Sequence, residues 1–270
     1  MTSHQKSPDS ARIVIVIPTY NEAQNVSEIV LRIQAAVPSA HTLIVDDGSP
    51  DGTGNIADDM ARSDDRIHVL HRTQKAGLGR AYLAGFEWAL ARDFEIIGEM
   101  DADGSHQPEE LPRLVQALEG ADLVIGSRWV PGGTVVNWPL SRRLLSRGGN
   151  IYTRFLLGMG IRDATAGYRL FWRHTLESID IQTVEAQGYV FQTELAFRTL
   201  GAGLRVVEVP IEFVERVRGD SKMTGSVATE SLRRITRWGI RERRAQLARW
   251  LRRNNRRHSS VEPHEGREPS

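Results

Sequence analysis

Alternation is the feature that most restricts what this chain can fold into: short apolar runs take turns with longer amphipathic stretches. The run Ile13–Ile17 is stopped by Pro18. Asn21–Glu22 then open an apolar-periodic segment through Val26, Ile29, Val30 and Ile33 that ends at Pro38. The unit repeats as Thr42–Val45 before a helix over 53–62, Ile67–Leu70 before 79–91, and Glu95–Met100 before 109–118, and Leu123–Ile125 closes the series. Strands alternating with helices of this length imply crossover connections, hence an α/β fold with a twisted, mostly parallel sheet flanked by helices. Ligands of such sheets bind outside the carboxyl ends of the strands. Three unusual segments lie at those ends: Pro-Thr-Tyr-Asn-Glu (18–22), Asp-Asp-Gly-Ser-Pro-Asp-Gly-Thr (46–53) and Asp-Ala-Asp-Gly-Ser (101–105). Beyond Trp129 the alternation weakens into a Gly-rich turn at 131–133, a helix over Leu140–Leu157, a loop around 163–169, a helix over 191–200 and a β-rich run over 204–214. Neither a second independent domain nor an internal repeat is visible.

Charge divides the chain more sharply than pattern does. The 270 residues carry 35 Lys+Arg against 34 Asp+Glu, a net charge of +1. Yet residues 233–257 hold eleven Arg and a single acid, Glu242, so an acidic body is joined to a strongly basic segment. Such asymmetry points to a polyanionic partner, a membrane surface or a nucleic acid. The resulting organisation is a flexible N-terminus at 1–11, a folded domain at 12–225, a basic helical segment at 226–257 and a disordered end at 258–270. Within the basic segment Leu232, Ile235 and Trp238, then Ala245, Leu247, Ala248, Trp250 and Leu251, recur at roughly helical spacing among the arginines, as in helices that lie in membrane interfaces. No run approaches the ~18 apolar residues of a membrane span. With no cysteine anywhere, disulfides, thiolate metal sites and cysteine nucleophiles are excluded, which fits a cytoplasmic chain.

Asp101 and Asp103, one residue apart after an apolar strand, can both reach one hard divalent cation, with substrate phosphates completing its shell. A calcium loop competes, since Asp101, Asp103 and Ser105 fit its first, third and fifth positions, but His106 and Pro112 stand where it needs Gly and Glu. Solvated loop acids remain the plain alternative. Asp46-Asp47-Gly48 also follows a strand, where an acid can accept from a base or ribose, although the segment is equally an ordinary turn. Arg128 after a strand, Arg142-Arg143, and Arg216 through Lys222 are cations suited to phosphate, with surface charge as the simpler reading of Arg142 and Arg143. Lys75 and Lys222 stand out because the chain has only three lysines. The first strand does not lead into Gly-x-Gly-x-x-Gly, and no P-loop or zinc-type histidine spacing is present.

Taken in order, Pro-Thr-Tyr-Asn-Glu, Asp-Asp-Gly-Ser-Pro-Asp-Gly-Thr, Lys75-Ala-Gly-Leu-Gly79, Met-Asp-Ala-Asp-Gly-Ser-His (100–106), Gly126-Ser-Arg128, Gly188-Tyr-Val-Phe-Gln192 and Arg216 with Gly219-Asp-Ser-Lys222 resemble the polyprenol (dolichol) phosphate mannosyltransferases. These are family 2 glycosyltransferases of the Rossmann-like GT-A fold, and the resemblance spans about residues 12–225. It implies that Pro18, Tyr20, Glu22, Val45 and Asp47 hold the nucleotide of GDP-mannose. It further implies that Asp101, Ala102 and Asp103 sit at the diphosphate, with the two aspartates binding Mg2+ or Mn2+ and Ser105 beside them. Arg128, Arg216 and Lys222 match positions that contact donor or lipid phosphate, and with Asp103 they form the expected catalytic set. The acceptor, a polyprenyl phosphate, is largely dianionic at neutral pH because its second pKa is about 6, so its attack on the sugar needs no strong general base. Single displacement would invert an α-linked donor to a β-mannosyl phosphate lipid.

Some relatives carry membrane spans that this sequence lacks. The basic segment is therefore expected to attach the enzyme peripherally to the cytoplasmic face of an anionic membrane, with a membrane protein partner as a further expected contact. Transfer from UDP-glucose stays as the nearest alternative. A nucleic-acid-binding protein using the tail is the distant one, because it leaves the three strand-end motifs unexplained.

Overall fold

The computed structural model describes residues 7–184, 189–215, 233–241 and 243. Along the chain run β1 (Ile13–Thr19), α1 (Val26–Ala36), β2 (His41–Asp46), α2 (Thr53–Ser63), β3 (Ile67–His71), α3 (Leu78–Leu90), β4 (Ile96–Glu99), α4 (Leu111–Ala117) and β5 (Leu123–Ser127). There follow β6 (Thr134–Val136), α5 (Leu140–Leu157), β7 (Arg169–Trp172), α6 (Arg173–Ser178), α7 (Tyr189–Gly201), β8 (Val206–Pro210) and β9 (Glu212–Val214). Seven strands form one sheet in the order β3-β2-β1-β4-β7-β5-β8, and β6 pairs with β9 in a small second sheet. All pairs are parallel except those of β7, which runs antiparallel to both β4 and β5. The expected mostly parallel sheet is thus present, with one reversed strand that the alternation did not reveal.

Alternation of side chains along β1 explains why the sheet is covered twice. Val14 and Val16 enter one core with Tyr82 and Phe86 of α3 and Phe191 and Leu195 of α7, while Ile13, Ile15 and Ile17 enter the other with Ile29 and Ile33 of α1 and Leu111 and Leu114 of α4. A strand buried on both faces has no polar side to show, hence its uninterrupted apolar run. Gly85 lets α3 press close to the sheet, since a Cβ there would come within 2.4 Å of Val16 Cγ1.

β1 does not stop at Pro18 but continues through it to Thr19. Its pairing with β4 ends at Val16, so the missing proline N–H falls where only β2 is paired alongside. The first helix starts later than expected, at Val26. Asn21 adopts a left-handed φ of 61°, and the N–H groups of Glu22 and Ala23 donate to Thr53 and Asp51 across the gap. Order also begins earlier than residue 12: Pro8–Ser10 form a 3-10 turn whose Pro8 is buried. Residues 233–241 are helical, and Ile235 is 4% exposed within the α3–α7 core with Trp238 packed beside it. Two apolar residues assigned from sequence to a membrane face are therefore used against the protein body. The rest of the basic segment, and 258–270, lie outside the described residues.

Candidate active site

The carboxyl ends of β1, β2 and β4 bring the three sequence motifs together, and their acids have different surroundings. Asp46, at the end of β2, is 3% exposed. It accepts from the Thr19 hydroxyl at 3.2 Å, from the Ser49 N–H at 3.1 Å and from the Ser49 hydroxyl. Ser49 in turn accepts the Asn21 N–H at 3.0 Å, and Asp51 accepts the N–H groups of Ala23 and Thr53 and the Thr53 hydroxyl. The second motif thus spends much of its polarity holding the first in place. Asp47 is engaged by Arg72 at 2.5 Å, and burial raises its pKa against the opposing pull of Arg72. Tyr20 lies at the same rim beneath the Lys75 ammonium, 3.9 Å from its ring centroid. Glu22 accepts from the Asn25 amide at 2.8 Å. Pro18 and Tyr20 are half-buried, so both retain some open surface. The Val45 side chain is fully buried in the core facing α3, which leaves its backbone as the part that could meet a nucleotide.

The acids after β4 are held from the side. Asp101 Oδ1 accepts from the Tyr82 hydroxyl at 3.0 Å, and the Asp101 N–H donates to His106 Nδ1 at 3.1 Å. Burial, with Asp101 second, pushes the Tyr82 phenol well above its ordinary pKa, so it stays a donor. Burial also lowers the pKa of His106, against the pull of Asp101 and Asp103, which favours the neutral ring that an accepting Nδ1 requires. Stacking on Tyr168 at 5.0 Å and edge contact with Phe213 fix that ring. Asp103 Oδ1 accepts the N–H and hydroxyl of Ser105 at 3.0 and 2.6 Å. Ser105 therefore orients Asp103 in place of standing beside it as a separate ligand, and it is 2% exposed. Ala102 is buried between the two acids, and Gly104 turns the loop with φ of 75°. A cleft of about 320 Å³ opens next to Asp103, lined by Asn25, Glu28, Arg32, Gln107 and Glu215 among others.

Two hard carboxylates on a rigid loop fit Mg2+ or Mn2+ better than a soft metal. Among the described residues no group of three or more acids or histidines is placed to hold a metal, so phosphate and water oxygens would have to complete the shell. Beneath the loop Glu99 is fully buried, and neither carboxylate oxygen has a hydrogen-bond partner, although the Gln192 amide lies nearby. Burial raises its pKa to about 8, with Arg169 attracting in the opposite sense. Arg169, also fully buried, donates to the carbonyls of Ala164, Ala166 and Gln192. Two further motifs meet here: Gly79 admits Phe191, to which an added Cβ would come within 3.1 Å, and Phe191 stacks on Tyr82 at 6.1 Å.

Arg128 is in the site wall but is not a loosely held cation. Its Nε and Nη2 donate to the two oxygens of Asp163 at 2.8 and 2.7 Å, and Nη2 also reaches Thr165 at 3.0 Å. Asn150 of α5 donates to both Asp163 and Thr165, and Glu208 accepts the N–H of Asp163. Asp163 is fully buried, so this pair is a fixed strut that presents Arg128 among Trp129, Trp138 and Phe213. Arg142 pairs with Glu215 at the cleft edge. Arg216 and Lys222 lie outside the described residues. Sequence reasoning missed Tyr82, Glu99, Asp163 and Arg169; an acid or arginine within an apolar stretch was the only local sign, and Tyr82 reads as ordinary helix core.

A mostly parallel sheet with paired acids beyond its central strand is suited to a nucleotide-sugar transferase, and the similarities agree. Residues 14–180 match the model of glycosyl transferase family 2, to which this chain belongs. It is a glycosyltransferase of the polyprenol-phosphate mannosyltransferase group. The chain is 57% identical to polyprenol monophosphomannose synthase of Mycolicibacterium smegmatis over 86% of its own length and 88% of that protein. It is 53% identical to undecaprenyl-phosphate mannosyltransferase of Micrococcus luteus, over 86% and 96% respectively. Dolichol-phosphate mannosyltransferase of Pyrococcus furiosus is 36% identical, and 63% of its length is matched. In fold the chain resembles glucosyl-3-phosphoglycerate synthase of Mycobacterium tuberculosis, crystallised with Mn2+, UDP-glucose and phosphoglyceric acid, with a TM-score of 0.59 at 22% identity over 85% of this chain and 78% of that one.

Proposed function

We propose that this enzyme transfers mannose from GDP-mannose to the phosphate of a polyprenyl phosphate, with inversion, at the cytoplasmic face of a membrane. The observation that carries the reading is the pair Asp101 and Asp103, oriented by Tyr82, His106 and Ser105 at the sheet's carboxyl edge. The names of the relatives in Mycolicibacterium and Micrococcus support the sugar and acceptor.

Asp101 and Asp103 are the residues that would hold Mg2+ or Mn2+. Bound there, the cation supplies positive charge against the diphosphate that leaves with the nucleoside. Tyr82 and His106 keep Asp101 in one orientation, and Ser105 does the same for Asp103, so little reorganisation is needed as charge develops. Tyr20, Glu22 and Asp47 bound the nucleotide side, with Pro18. Arg128, braced by Asp163, directs a fixed positive charge at the acceptor side, where Arg216 and Lys222 are assigned the same task. A dianionic acceptor phosphate attacks without a base, so what the acceptor side has to supply is cations to hold it. The basic C-terminal segment is the proposed contact with anionic lipid, with a membrane protein as a further candidate partner.

The test is purified full-length protein with Mg2+ or Mn2+, a polyprenyl phosphate and either GDP-mannose or UDP-glucose, the lipid product being identified by mass. Mannosyl lipid formed from GDP-mannose and lost on chelation is the expected result. Preference for UDP-glucose would overturn the donor assignment, and no lipid-linked sugar from either would overturn the reaction.

A further inference from the structure

Arg169 stands where a sheet covered on both faces has least use for a charge. It opens β7 inside the seven-stranded sheet, opposite Glu99 of β4 and Ile125 of β5. Alternation along the strand turns it to the same side as Phe171, toward the α3–α7 core, where it is fully buried. Burial lowers its pKa to about 10 against the attraction of Glu99, so it is still a cation at neutral pH. Taking a guanidinium out of water costs stability, and apolar side chains of similar volume commonly replace buried ions without loss. Packing of the sheet alone does not call for this residue.

Its three nitrogens go instead to three carbonyls in two separate supports of the site. Nε and Nη2 donate to Ala166 and Ala164, each at 2.8 Å, and Nη1 donates to Gln192 at 2.7 Å. Ala164 and Ala166 alternate along the loop with Asp163 and Thr165, the residues that receive Arg128. One edge of this loop is thus fastened to Arg169 while the other holds the acceptor-side cation. Gln192 lies in the first turn of α7, next to Phe191, which stacks on Tyr82, and Tyr82 donates to Asp101. The Thr193 hydroxyl, donating to Ala164 at 3.4 Å, joins the loop and the helix a second time. The nucleotide side is built from other contacts: Arg72 holds Asp47, and Thr53 accepts the Glu22 N–H.

We infer that Arg169 is a positioning residue, which sets the acid Asp101 and the acceptor-side cation Arg128 from a single point. A single displacement puts the leaving diphosphate and the attacking phosphate on opposite sides of the sugar carbon, so the groups that hold them must keep a fixed relation. A planar guanidinium with donors in fixed directions keeps that relation, whereas an ammonium is a point charge on a flexible stem. The acceptor half of the inference rests on the proposed contact between Arg128 and the acceptor phosphate. The metal half rests on Asp101 alone.

The experiment uses two full-length variants. Arg169→Lys keeps the buried charge and loses the fork of donors. Arg169→Met/Glu99→Gln removes both ionisable groups, so that no lone charge stays buried, and it serves if the first variant does not fold. Three quantities are compared with the parent: Mn2+ affinity in the presence of GDP, read by electron paramagnetic resonance, KM for a polyprenyl phosphate, and GDP affinity without metal, read by calorimetry. Mn2+ affinity is expected to fall about tenfold, the low end for a residue that acts through a ligand's own partner. The acceptor KM is expected to rise about tenfold, while GDP affinity stays within about twofold of the parent. A fall of all three together would make Arg169 a residue of general stability and overturn the inference. So would unchanged values, a change confined to metal or to acceptor, or failure of both variants to fold. Absence of mannosyl lipid from the parent would strike the proposed reaction instead, leaving the Mn2+ and GDP titrations, which need no turnover, to decide whether Arg169 positions Asp101.

Discussion

The loops that follow β2 and β4 have nearly the same vocabulary, acids, glycine and serine, yet use it in opposite ways. In 46–53 the carboxylates of Asp46 and Asp51 are acceptors for their own loop and for the loop after β1, so their charge is consumed in construction. In 101–106 the acids are themselves held, by Tyr82 and Ser105 and through the backbone by His106, and Asp103 lines a cleft. The same side chain is mortar in one loop and instrument in the other. Ser105 holds Asp103 much as Ser49 holds Asp46, and what separates the loops is that Tyr82 reaches Asp101 from a helix fixed in the core.

The contrast is broken most severely by exchanging the damage. Asp103→Ala should lower turnover by about 10³-fold or more, far beyond the about 1–3 kcal/mol of stability that stranding the Ser105 N–H and hydroxyl costs. Asp46→Ala should cost stability alone. It strands the Ser49 N–H and leaves the Thr19 hydroxyl only the Val45 carbonyl, costs about 1–3 kcal/mol of stability, and spares the turnover of the molecules that remain folded. Parallel measurement of product lipid and urea unfolding checks both, and near-normal turnover of Asp103→Ala would remove the metal assignment.

A finer cut is Tyr82→Phe. It deletes one hydrogen bond to Asp101 and keeps the stacking on Phe191, so the activating metal concentration should rise by about 10–100-fold with little change in turnover at saturating metal. Recovery at high metal distinguishes orientation from simple loss of structure.

A pH-dependent effect lies beneath the loop. Because Glu99 has its folded pKa raised to about 8 from 4.5, the folded chain holds a proton that the unfolded chain has released between those values. Its contribution to stability is therefore full below the unfolded value and declines as pH rises toward 8, by at most about 1.4 kcal/mol per pH unit. Urea titrations in chelator from about pH 5 to 8 should show this slope in the parent and not in Glu99→Gln; equal slopes would mean that the carboxyl is solvated.

Much of the fold was legible because a sheet buried on both faces writes itself as apolar runs, and α5 has the bounds its pattern predicts, Leu140–Leu157. Its orientation was not legible, since periodicity gives the apolar face but not which way it points, and Leu144, Ile151 and Phe155 are exposed. β7 was missed because Arg-Leu-Phe-Trp becomes a strand only through antiparallel pairing with β4 and β5, and its first residue is a buried arginine that local rules place in water. Asp101 and Asp103 stood out as paired acids after a strand. Their supports did not, because Tyr82 looks like core, Asp163 looks like loop, and the contacts that give them roles span long stretches of chain.

The reversed strand has a consequence for how such an enzyme can change. Ile125 of β5 pairs with Arg169 of β7, so residues 128–168 leave the sheet and return to it at adjacent points. This stretch, α5 included, is an excursion whose ends are neighbours and whose one strand, β6, pairs with β9, and lengthening a loop costs only about 0.6 kcal/mol per doubling. The loops after β1, β2 and β4 arise from other crossings. Evolution can therefore rewrite the excursion as a cassette, altering the surface beside Arg128, without re-registering the strands that carry Asp47 and Asp101.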